Sequence, residues 1–97
     1  MDKFKIIDRA HPAGMGGTQR VYKFPNNYGA SVVQFNGSYG FEDGLWELGV
    51  VQFDDEGDYH LTYDTHITSD VLGYLTDDQV HETLLAIQAL PEGDGEV

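Results

Sequence analysis

No cysteine occurs among the 97 residues, so disulfides, zinc–thiolate sites and thiol nucleophiles are excluded outright. Basic residues are nearly as scarce. Five Lys and Arg stand against seventeen Asp and Glu, a formal net charge of −12. All five bases, Lys3, Lys5, Arg9, Arg20 and Lys23, lie in the first 23 residues, where Asp2 and Asp8 are the only acids. From Phe24 to Val97 there is no Lys or Arg at all, and fifteen acids follow one another without a basic partner. Phosphate contacts supply most nonspecific nucleic-acid affinity, so a direct nucleic-acid-binding role is disfavoured over most of the chain. No apolar run approaches the ~20 residues of a membrane-spanning helix, and the N-terminus lacks a signal-peptide core. The chain is therefore expected to be soluble and intracellular, with no membrane partner.

Catalytic signatures are missing too. Ser31, Ser38 and Ser69 sit in no GxSxG elbow. Gly14-Met15-Gly16-Gly17 resembles a phosphate-cradling loop only in its glycines. Such loops open a helix, whereas this one feeds the strand-like run Gln19–Phe24. An enzyme is not expected, and no cofactor is implied.

What is present reads as one domain over residues 1–97. Hydrophobic residues make up 40% and charged residues 23%, which are globular values. A chain of this length buries roughly 60–68% of its unfolded surface, enough for a modest core. Its organising stretch is Leu45–Asp64. Two strands, Leu45–Phe53 and Asp58–Asp64, flank the turn Asp54-Asp55-Glu56-Gly57, whose Asp and Gly residues tolerate tight-turn geometry. The first arm is apolar on both faces, with Trp46, Leu48 and Val50 against Leu45, Val51 and Phe53, as suits a covered central strand. In the second arm Tyr59, Leu61 and Tyr63 alternate with Asp58, His60, Thr62 and Asp64, giving a core face and a polar face.

Upstream, Lys3–Asp8 reads as a strand with Phe4 and Ile6 on one face, and residues 10–18 as a flexible Gly-rich loop. Pro25-Asn26-Asn27 marks a hairpin turn between Gln19–Phe24 and Gly29–Phe35, and Asn36–Gly44 is irregular. Downstream, Thr68-Ser69-Asp70 can cap one helical turn through Gly73. Thr76-Asp77-Asp78-Gln79 is a capping box, and Val80, Leu84 and Ile87, flanked by Thr83 and Leu90, form a stripe at helical spacing. Pro91 closes that helix, and 91–97 is an acidic tail. The expected fold is α+β: an antiparallel meander of four to five strands with a C-terminal amphipathic helix on one face.

Three constellations could carry function. The acids Asp54, Asp55, Glu56, Asp58, Asp64, Asp77 and Asp78 could form a polyanionic surface that occupies a basic groove on another protein. Strand carboxylates at i and i+2 lie ~6.6 Å apart, near the spacing of every second phosphate along a DNA strand. A surface of that kind is steered toward Lys/Arg-lined channels and is sensitive to salt. His60, Asp64 and His66 are weak candidates for a metal site, on which a small metal-dependent enzyme could be built. Asp54, Glu56 and Asp58 alternate like the start of an EF-hand loop, but Gly57 stands fourth instead of sixth and Thr65 occupies the twelfth position.

The segments YKFPNNYGASVV (Tyr22–Val33), GLWELGVVQFD (Gly44–Asp54) and LTYDTHITSDVLGYLTDDQV (Leu61–Val80) resemble a pattern in small acidic phage and prophage proteins. The resemblance implies a viral or prophage origin and the cytoplasm of a host cell, and it assigns no site residues. By analogy with anti-defence proteins it implies a non-enzymatic inhibitor of a host nucleic-acid-binding protein, a restriction enzyme or, most specifically, a CRISPR effector. The alternative is a phage structural or assembly protein acting through an exposed sheet edge, with a homodimer as its simplest form.

Overall fold

A computed structural model describes residues 2–10, 17–34, 41–62, 65, 67 and 71–91. Its elements are β1 (Lys5–Ala10), β2 (Thr18–Lys23), β3 (Tyr28–Gln34), β4 (Trp46–Phe53), β5 (Tyr59–Leu61), β6 (Leu72–Leu75) and α1 (Asp77–Gln88), with single 3₁₀ turns at Asp2–Phe4 and Phe41–Asp43. β1 through β5 pair in sequence order, all antiparallel, and β6 pairs with β4 beside β5. With α1 packed across β3 and β4, this is the α+β meander expected.

β4 is the strand on which the rest is built. Its inner edge pairs with β3 from Glu47 to Gln52, while its outer edge is shared, Val51–Phe53 meeting β5 and Trp46–Leu48 meeting β6. Both faces are covered, as its double apolar pattern implies. Trp46, Leu48 and Val50 join Tyr22, Phe24, Ala30 and Val32 under Leu84, Ile87 and Leu90. Val51 and Phe53 pack with Val21, Ile7 and Tyr59 on the opposite face. Gly29 is required where these layers meet, since a Cβ there would lie 1.9 Å from the Tyr22 carbonyl oxygen and 2.9 Å from the Phe53 ring.

The β2–β3 turn lies where Pro25-Asn26-Asn27 put it, with Asn27 at φ 68°. The helix start is equally local in origin: Thr76 accepts from the Gln79 backbone, and the Gln79 side chain answers to the Thr76 N–H. Leu84 and Ile87 are buried by α1, as the stripe predicts.

Three expectations are corrected. The first strand begins at Lys5, and a register irregularity between Lys5 and Ile7 turns Ile6 outward, 53% exposed, while Ile7 goes inward. Phe4 belongs to the preceding 3₁₀ turn and meets Phe24 edge-on. The second hairpin arm keeps its ladder only over Tyr59–Leu61; Leu61 is 44% exposed and Thr62 is buried instead. Gly73 lies in β6, not in a helical turn, because the free outer edge of β4 offers unpaired backbone groups there. Thr68, Ser69, Asp70, Tyr63, most of the 10–18 loop and the tail after Pro91 lie outside the described residues.

Candidate acidic docking surface

The β4–β5 turn gathers four of the seven predicted acids. Asp54 N–H donates to the Asp58 carbonyl (2.9 Å), and Gly57 N–H donates to the Asp54 carbonyl (3.1 Å). The Asp54 carboxylate Oδ1 accepts from the backbone N–H of Glu56 (2.9 Å) and of Asp58 (3.0 Å). Gly57 supplies the φ of 86° that closes the turn. The result is a knuckle in which carboxylate oxygens of Asp54, Glu56 and Asp58 lie within 4.8 Å of one another, with Asp55 beside them, all exposed. Asp54 builds the turn, whereas the side chains of Asp55 and Glu56 are free to meet a partner.

Asp77 and Asp78 are elsewhere. Both open α1, and Asp77 Oδ1 accepts a 2.8 Å hydrogen bond from Trp46 Nε1, at the start of β4. Asp54 follows the end of β4. From Trp46 to Asp54 is eight strand steps, which at ~3.3 Å each place these two acidic groups roughly 26 Å apart. The predicted surface is thus two patches at opposite ends of β4, and a continuous carboxylate row is not formed by the described residues. Asp64 lies outside them.

The ion pairs among described residues all belong to the basic edge: Lys5 with Asp2 (3.9 Å) and Asp8 (2.9 Å), and Arg20 with Asp8 (3.7 Å). The hydrogen bond from Lys5 holds the Asp8 carboxyl below its ordinary value of 3.8, and the same bond raises Lys5 above 10.5. Lys23 extends over the Phe53 ring at 5.4 Å. Among the described residues none of these pairs reaches Asp54, Asp55, Glu56 or Asp58.

His60 is exposed on β5 opposite Gln52, and it is not among the side chains that gather at the knuckle; His66 lies outside the described residues. Ser31 lines a groove of about 230 Å³ with Gln19, Glu47 and Gly49, and among the described residues that line it there is no histidine that could activate it.

A second constellation was not foreseen. Between α1 and the sheet lies an open cavity of about 340 Å³ bounded by Arg20, Tyr22, Val32, Trp46, Asp77 and His81, among others. The Arg20 guanidinium lies 4.9 Å from the centroid of the Trp46 ring. Its only trace in the sequence is the alternation of β2, which puts Arg20 on the same face as buried Tyr22. No protein-family model, curated protein or solved structure matches the chain.

Proposed function

We propose that the protein is a non-enzymatic binding protein that presents the β4–β5 knuckle to the basic groove of a nucleic-acid-binding partner. The partner class is a host defence protein, a restriction enzyme or, most specifically, a guide-loaded CRISPR effector. One observation carries the reading: an exposed cluster of carboxylates, on a turn fixed by its own hydrogen bonds, with no base paired to it among the described residues. Such a turn loses little conformational entropy on docking, and its charge is already uncompensated. The phage-like segments supply the biological setting.

The test is retention of purified guide-loaded effectors and restriction enzymes on the immobilised protein, washed across a salt series. Retention that falls steeply with salt, is competed by the effector's own DNA and is lost in the double variant Asp55→Lys, Glu56→Lys supports the reading. Asp54 is avoided because its loss would unmake the turn. Retention indifferent to both DNA and the double variant would refute it.

An assembly role through a sheet edge is the second reading, favoured by exposed Ile6 on the outermost strand β1. The register break beside Ile6 opposes it, since such breaks blunt an edge against pairing. A concentration-dependent dimer that disappears in Ile6→Lys would favour assembly.

A further inference from the structure

We infer that β1 is a strap, and that its closure on β2 and the seating of the α1 N-terminus on the sheet are one cooperative event. The inference does not depend on the knuckle or on its partner. β1 is the outermost strand, four of its six residues are exposed, and its ladder is irregular between Lys5 and Ile7. Its apolar hold is Ile7 against Val21, Val51 and Phe53, with Phe4 of the preceding turn meeting Phe24 edge-on at 5.2 Å. A strand with so little buried surface opens at lower cost than the sheet interior. What it brings besides is charge.

Among the described residues, Arg20–Asp8 (3.7 Å) is the ion pair that joins β1 to β2, and a line of contacts extends from it. Lys5 Nζ donates to the other Asp8 oxygen at 2.9 Å and holds that carboxylate in place. The Arg20 guanidinium lies 4.9 Å from the centroid of the Trp46 ring, and Trp46 Nε1 donates to Asp77 Oδ1 at 2.8 Å. The line thus runs from β1 through β2 and β4 into the first turn of α1. Arg20 is its pivot, because Nε is buried, makes no hydrogen bond and lies against Asp8. A buried charge that loses its counter-ion is costly. When β1 lifts and takes Asp8 with it, the guanidinium turns toward water, which its 38% exposed side chain can reach. Trp46, 9% exposed under that cover, then loses the group that fixes its ring, and Asp77 loses a held donor. Opening of β1 is transmitted to the helix start, while the knuckle at the other end of β4 stays closed.

Hydrogen exchange of the whole protein, followed by NMR, reads this directly, since Trp46 is the single tryptophan and gives one indole N–H. The Val80 N–H, bonded to the Thr76 carbonyl, reports the helix start, and the Phe53 N–H, bonded to the Asn27 carbonyl, reports the knuckle end of β4. Asp8→Asn should speed exchange at the indole and at Val80 by at least about threefold and leave Phe53 unchanged. Asp2→Asn removes the same charge from a side chain that pairs with Lys5, and should change none of the three. Coupling is reciprocal, so Asp77→Ala should speed exchange along β1. In a double-variant cycle read by urea unfolding, either substitution already opens the latch, so the second should cost less in the background of the first. Simple repulsion between the two aspartates gives the opposite sign. Indole and Val80 exchange unchanged in Asp8→Asn, or losses that merely add in the double variant, would overturn the inference. If Asp8→Asn fails to fold, the exchange of β1 in Asp77→Ala decides alone.

Discussion

At the scale of single residues, Asn26 ties the sheet to the helix. Its Nδ2 donates to the carbonyls of Ile87 (2.9 Å), Gln88 (3.2 Å) and Leu90 (3.0 Å) at the helix end, where the Ile87 carbonyl also accepts from the Leu90 N–H (3.1 Å). Its Oδ1 accepts from the Tyr28 N–H, so both ends of the amide are used. Asn26→Asp replaces the donor by an acceptor facing three carbonyls. Urea unfolding should show it less stable than the parent by about 1–3 kcal/mol, and less stable than Asn26→Ala, which removes the donor without adding an acceptor. Equal stability of all three would mean that the helix end is satisfied by water.

The Lys5–Asp8 pair gives a pH signature. Asp8 is held below 3.8, so its stabilisation is present above that value and is lost as pH falls through the lowered one. Lys5 is raised above 10.5, so its share is present below that value and is lost as pH rises through the raised one. Asp8→Asn should lower Tm slightly at neutral pH, with the difference from the parent vanishing at strongly acidic pH. A difference that persists there would assign the effect to packing.

At the scale of elements, what was legible in the sequence followed the range of the forces. The capping box and apolar stripe of α1, the Asn-rich β2–β3 turn and the Asp/Gly knuckle are set by neighbours within a few residues, and each appears as read. Thr76→Ala should therefore cost about 1 kcal/mol in chemical denaturation, as loss of a cap does elsewhere. β6 was unreadable for the opposite reason. Leu72-Gly73-Tyr74-Leu75 has no strand alternation and holds Tyr74 at φ 58°. It becomes a strand because β5 stops at Leu61 and leaves Trp46–Leu48 of β4 unpaired, a fact about residues far away in the chain. The Arg20–Trp46–Asp77 group was hidden likewise, its members coming from β2, β4 and α1. The acids were legible as residues but not as a surface, since only the length of β4 separates the knuckle from the helix start. Gly29→Ala tests the crossing of these layers: the new methyl overlaps the Tyr22 carbonyl, and a loss of about 1–3 kcal/mol or failure to fold is expected.

At the scale of the molecule, the net charge of −12 acts on the fold and on any complex with opposite sign. The principal extents are 39 × 24 × 23 Å. At ~10 mM salt the screening length is about 30 Å, so carboxylates across the molecule repel one another, whereas at ~1 M it is about 3 Å. Adding NaCl should therefore raise Tm, by about 4–8 °C for each kcal/mol of repulsion relieved. A Tm that falls with salt would mean that the few ion pairs at the basic edge outweigh the repulsion, and the unneutralised knuckle would lose its support. A complex formed through the knuckle should respond the other way, because the same ions screen its attraction to a basic groove. Release at high salt then occurs while the protein is more firmly folded, so it cannot be put down to unfolding.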